Sequence, residues 1–255
     1  MKLTEYSIEK DSLEKRIKIA VISDLHGSDV SAVVSLLKDA APDLILAPGD
    51  ILERVDGKTE KIRSMNELGL ELLSSAAKVA PTFYSLGNHE LGGSGSWGMG
   101  LRTKRPERAR WRDEDLLVLR KSGVRLLDDS YLLFDGLAIG GLTSGILNEG
   151  GKPRLFWLDE FCRSDCPKIL LCHHPEYYEK YLRLKNIDLI VSGHAHGGQW
   201  IFFGKGVFAP GQGVFPKYTR GIYENRLLVG TGLKKSGLIP RLFNPAEVVT
   251  LSINK

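Results

Sequence analysis

The chain places its six histidines in four short blocks: "SDLHG" (Ser23–Gly27), "GNHE" (Gly87–Glu90), "HHPE" (His173–Glu176) and "SGHAHGG" (Ser192–Gly198). A fifth block, "PGD" (Pro48–Asp50), has no histidine but ends on a carboxylate in the same way. Imidazole, carboxylate and amide oxygen without thiolate form a donor set for borderline or harder divalent ions such as Mn, Fe or Zn, rather than for a cysteine-rich structural zinc. The candidate donors are Asp24, His26, Asp50, Asn88, His89, His173, His194 and His196. Eight donors are too many for one ion. With one central carboxylate they suit two ions, which at about 3.5–4 Å apart can clamp a phosphoryl group and supply a hydroxide nucleophile at neutral pH. Each block alone also reads as an ordinary polar turn; their joint placement carries the chemistry.

That placement depends on the elements before each block. Short apolar runs, Ile17–Ile22, Leu44–Ala47, Thr82–Leu86, Lys168–Cys172 and Ile187–Val191, lead directly into the five blocks. Continuous apolar strands of this length suit a sheet buried on both faces. Helical spacing is expected over Ala32–Ala40, stopping before Pro42, over Glu60–Ala80, stopping before Pro81, and over Asp113–Lys121, ending at Gly123. Alternation of strand and helix predicts an α/β fold, with a mixed sheet and a strand-rich C-terminal part. In such folds ligands bind beyond the carboxyl ends of the strands, so five strand ends would feed one crevice.

Composition adds bounds. A chain of 255 residues with 42% hydrophobic and 26% charged residues has enough apolar surface for a core, and a net charge of +4 is weak support for a polyanionic partner. Cys162, Cys166 and Cys172 are clustered without a second pair, and read as reduced thiols of a cytoplasmic protein. No apolar run is long enough for a secretory or membrane-spanning segment.

"DLH" (Asp24–His26), "GD" (Gly49–Asp50), "GNHE" (Gly87–Glu90), "HHP" (His173–Pro175) and "GHAH" (Gly193–His196) resemble, in order and spacing, the five motif blocks of the calcineurin-like metallophosphoesterases. The extended "GHAHGGQ" and the tail from Arg220 look like a bacterial phosphodiesterase branch of that superfamily. The resemblance implies a four-layer αββα sandwich of two mixed sheets flanked by helices, as a single domain over 1–255. It implies that Asp24, His26 and His196 hold a first ion, that Asn88, His173 and His194 hold a second, and that Asp50 bridges both. His174 would be only the neighbour of a ligand. His89 would bind no metal and would donate a proton to the leaving-group oxygen, while a metal-activated water attacks phosphorus.

One segment stands outside these blocks. Residues 92–112 begin "GGSGSWGMG" and then carry Arg102, Lys104, Arg105, Arg108, Arg110 and Arg112 against Glu107. The plain reading is a solvated basic loop. The functional reading is a lid or recognition loop in which Arg102 and Arg105 join Asn88 and His89 in contacting substrate phosphate. Trp97, Met99 and Trp111 among the arginines would also suit peripheral membrane contact through 97–112.

Three functions follow as expectations. The first is a two-metal phosphodiesterase or phosphatase acting on a small phosphoester. The second is a pyrophosphatase acting on a nucleotide-linked lipid, that is, a lipid-linked phosphate substrate. The third is a non-catalytic metal-binding scaffold, against which the full donor set counts. Nucleic acid is not an expected partner, for no helix-turn-helix, RNA-binding or OB signature is present.

Overall fold

A computed structural model describes residues 1–13, 15–54, 60–92, 111–202, 205–234, 241 and 243–255. In chain order they form β1 (Lys2–Glu9), β2 (Ile17–Val21), α1 (Val30–Ala40), β3 (Leu44–Pro48), α2 (Glu60–Ala77), β4 (Thr82–Ser85), α3 (Asp113–Ser122) and β5 (Arg125–Leu127). There follow β6 (Ser130–Phe134), β7 (Leu137–Leu142), α4 (Leu158–Arg163), β8 (Lys168–Cys172) and β9 (Leu189–Ser192). Two small hairpins come next, β10 (Ile201–Phe202) with β11 (Lys205–Gly206) and β12 (Phe208–Ala209) with β13 (Gly213–Val214). Then come β14 (Gly221–Tyr223), β15 (Leu227–Val229) and β16 (Glu247–Asn254).

The long strands make two six-stranded sheets, in the orders β1-β16-β2-β3-β4-β5 and β14-β15-β9-β8-β7-β6. Strands β2 to β5 are mutually parallel, as are β15, β9, β8 and β7, so the motif-bearing strands of each sheet all end at one edge.

Side-chain alternation stacks the layers. In β3, Leu44 and Leu46 enter one apolar cluster and Ile45 and Ala47 another. In β8, Ile169 and Leu171 share the cluster of Leu44 and Leu46, while Leu170 and Cys172 join Trp157, Phe161 and Tyr178. The shared cluster, with Ile19, Phe83, Ile139 and Val191, therefore lies between the sheets. Helices α1 and α2 cover the far face of the first sheet, and α4 with Tyr178 and Leu182 covers that of the second. This is a four-layer αββα sandwich. Fully burying a side chain such as Phe83 contributes about 1.5–3 kcal/mol, which explains why the strands read as unbroken apolar runs.

The helices have local causes. The Asp29 carboxylate accepts Ala32 N–H at the start of α1, and Ala41 in the left-handed region closes it before Pro42. Gly123 ends α3 with φ 80°.

Strand-and-helix alternation alone predicted one mixed sheet, and the structure corrects this to two. The elements that build the second sheet's far edge, β6 and β7, were not anticipated, although Asp135 and Gly136 (φ 47° and 77°) form the two-residue left-handed hairpin turn that an Asp-Gly pair encodes. Strand β1 was also missed. Its exposed polar residues Glu5, Ser7 and Glu9 alternate with Tyr6 and Ile8 on an edge strand that pairs in parallel with β16. Among the described residues no helix is long and apolar enough to cross a membrane.

Candidate metal centre

Each candidate donor follows a strand end: Asp24 and His26 follow β2, Asp50 follows β3, Asn88 and His89 follow β4, His173 follows β8, and His194 and His196 follow β9. Hydrogen bonds tie these loops together, both within the first sheet and across to the second. His194 N–H donates to Asp24 Oδ2 at 3.1 Å, and His89 N–H donates to Asp50 Oδ1 at 2.9 Å. His173 Nδ1 lies 2.8 Å from Pro48 O; an N–H there turns the Nε2 lone pair inward.

The backbone is bent to achieve this. Asp24, His26, Asp50, His194 and His196 all have positive φ, between 43° and 64°. Asp and His tolerate this region better than most residues, but left-handed backbone still costs roughly 1–2 kcal/mol per residue. At Gly193 space is the constraint, since a methyl group there would fall 2.5 Å from both Asp24 Oδ2 and Ser23 Oγ.

Three sets of donors converge, namely Asp24 with His26 and His196, His26 with Asp50 and His89, and Asp50 with His173 and His194, each set having its donor atoms within 4.8 Å of one another. Asp50 Oδ2 is 3.1 Å from His173 Nε2 and 4.0 Å from His26 Nε2. Asn88 is buried beside them, one residue from the His89 amide that caps Asp50.

The donors fit divalent cations. Nε2 of His26 is buried with no hydrogen-bond partner, although burying such an atom unpaired is costly, and Nε2 of His173 faces the Asp50 carboxylate. Without an ion, protons on the histidines balance the carboxylates. Burial would push His173 down, yet the Asp50 carboxylate beside it raises it to about 10; for His89 burial is likewise outweighed by Asp50 and Glu53, and it rises to about 9. Burial alone would raise Asp50, but His173, His89 and His26 hold it well below the usual carboxylate range. His194 and His196 are pushed down by burial and by neighbouring cationic groups, so both stay neutral with lone pairs available.

Several residues at this site had no assigned role in the sequence reading. Glu53 holds His89, with both carboxylate oxygens 2.8 Å from Nδ1, and lies 3.4 Å from His26 Nδ1. Glu90, the last residue of "GNHE", accepts from the amides of Gly87, Asp50, Ile51 and Leu52 and from Tyr84 Oη, and so clamps the two loops that carry Asp50 and Asn88. Burial and the Asp50 charge raise it to about 7. Arg241 Nη2 lies 3.0 Å from His196 Nδ1 and donates to Thr231 O. No periodicity marks any of these three. His174, read as a mere neighbour, belongs to a further cluster with Glu176 and His194. Arg102 and Arg105, with Trp97, Met99 and the rest of the basic stretch up to 110, lie outside the described residues.

Residues 17–198 match the family model described as calcineurin-like phosphoesterase, and the chain belongs to that family. It is a metal-dependent phosphoric ester hydrolase. A protein named "Uncharacterized metallophosphoesterase" from Aquifex aeolicus (strain VF5) is 28% identical over 272 residues, covering 99% of this chain and 92% of that protein. One of the same name from Helicobacter pylori (strain J99) is 26% identical over 269 residues, and there the match spans 99% of this chain but only 64% of the relative's length. Among solved structures, Yfce, a phosphoesterase from E. coli, overlays with a TM-score of 0.44 at 14% identity, covering 92% of this chain and 87% of that one.

Proposed function

We propose that the protein hydrolyses phosphodiesters with two divalent cations, one held by Asp24, His26 and His196, the other by Asn88, His173 and His194, with Asp50 shared between them. The observation that carries this reading is the position of Asp50, whose carboxylate belongs to one set with His26 and to another with His173 and His194. When bound, the cations would supply Lewis acidity to the phosphoryl oxygens and lower the pKa of an attacking water.

The chain's own residues do the rest. Glu53 orients the His89 ring through Nδ1 and favours its charged form, which leaves Nε2–H to be presented to the departing ester oxygen. Nε2 lies 3.8 Å from Asp50 Oδ2, so the proton stands at the edge of the donor cluster. Pro48 O fixes the His173 ring, and the Asp24 carboxylate fixes the loop of His194. The apolar cluster shared by the two sheets supports reading 1–255 as one domain.

The test is hydrolysis of bis(p-nitrophenyl) phosphate and of p-nitrophenyl phosphate by metal-stripped protein, with and without Mn²⁺. Metal-restored turnover that favours the diester is expected, as is its loss in Asp50→Asn by more than about 100-fold, the upper end for losing only an outer partner of a metal ligand. Turnover of the monoester alone would reject the diester reading.

A further inference from the structure

We propose that His174, Glu176 and His194 form an additional divalent-cation subsite, adjoining the two sets that meet at Asp50 and sharing His194 with one of them. These residues come from the end of β8, the turn after it and the end of β9, and their donor atoms lie within 4.8 Å of one another. Two imidazoles and one carboxylate are a zinc-hydrolase donor set, with a fourth position open to water or substrate.

The spacing is that of ligands around a common ion. His174 Nδ1 lies 3.2 Å from Glu176 Oε1. Two donors each about 2.0–2.1 Å from a tetrahedral zinc stand roughly 3.3 Å apart. The other ring nitrogen of His174 is 2.7 Å from Ser144 Oγ, a hydroxyl that also accepts from Ile146 N–H at 3.4 Å. In the metal-free protein Nδ1–H donates to Glu176; with an ion bound, donation of Nε2–H to the Ser144 hydroxyl would keep Nδ1 free as the ligand atom, as outer hydrogen bonds do for metal-binding histidines. His194 forms the corner, its ring centroid 4.3 Å from that of His174 and 4.9 Å from that of His173.

Glu176 pairs with His174 through Oε1 and has its second oxygen to spare. Its Oε2 is buried without a hydrogen-bond partner, and among the described residues neither lysine nor arginine pairs with it. A buried carboxylate is costly unless it is paired or coordinates a metal. Gly211, at φ 72°, packs its backbone so closely on Glu176 Oε1 that any side chain there would overlap it.

The subsite shares His194 with the second ion of the two-ion reading, and it is tested apart from that reading, without an activity readout. In the full chain, Asp24→Asn combined with Asp50→Asn removes the carboxylates of both other sets. The stripped double variant, dialysed against micromolar Zn²⁺ and analysed by elemental mass spectrometry, is expected to hold one zinc per chain, falling to none when Glu176→Gln is added. If circular dichroism shows the double variant unfolded, Asp50→Asn alone replaces it, with two zinc ions falling to one. A folded double variant that holds no zinc, or a count unchanged by Glu176→Gln, overturns the proposal.

Discussion

His89 Nδ1 lies 2.8 Å from both carboxylate oxygens of Glu53, a residue three positions beyond Asp50 on a different loop. The pair turns a half-buried imidazole into a held cation, since Glu53 and Asp50 together outweigh burial and raise His89 to about 9. A carboxylate that favours the charged form raises a histidine, so its removal must lower it. Glu53→Gln is therefore expected to move the alkaline limb of kcat to lower pH, with ion content unchanged. An alkaline limb that stays in place would show that His89 is not the group losing its proton.

His89→Asn should separate turnover from metal binding. The ring is placed to serve as a proton donor, a role that contributes about 10²–10⁴-fold. We expect kcat to fall within that range while elemental analysis finds the same number of ions as in the parent chain. Loss of both ions would make His89 a ligand instead.

Gly193→Ala tests the close packing of the site. The added methyl would lie 2.5 Å from Asp24 Oδ2 and from Ser23 Oγ, and Asp24 is anchored by the His194 amide. Overpacking of this kind costs about 1–3 kcal/mol. Urea unfolding should show that loss together with weaker metal retention. Unchanged stability would mean that the Asp24 loop yields without strain.

The metal-free protein should weaken in acid. Burial would raise Glu53 and Glu176, but hydrogen bonds with His26 and His89 in one case, and with His174 in the other, hold each at about 2, against an ordinary 4.5. Carboxylates depressed on folding contribute stability that is complete above about pH 4.5 and is lost as pH falls toward 2. Urea midpoints of stripped protein between pH 6 and pH 3 should fall accordingly, and less steeply in Glu53→Gln. An equal slope in that variant would remove Glu53 from the account.

What was legible in the sequence were features encoded locally. The apolar runs before Ser23, Pro48, Gly87, His173 and Ser192 predicted strands because a sheet covered on both faces needs apolar residues at every position. The helices α1, α2 and α3 were placed to within a few residues, because caps and prolines act on their own neighbours. The donor types followed from coordination chemistry, which is why Asp24, His26, Asp50, His173, His194 and His196 could be named before any contact was known.

The contacts that complete the site run between residues far apart in the chain, and no periodicity encodes them. Glu53 meets His89 across 36 positions, Arg241 meets His196 across 45, and Asp24 caps the amide of His194 across 170. The sequence by itself determined the motif-bearing strands and the kinds of donor at their ends. Only the tertiary structure decided that two sheets share one core, that five of the candidate donors adopt left-handed backbone, that Glu90 is buried, and that Glu53 and Glu176 meet His89 and His174. The physical reason is that strand and helix signals are summed over adjacent residues. The free energy that holds strained loops and buried carboxylates in place comes instead from packing between segments distant in the chain.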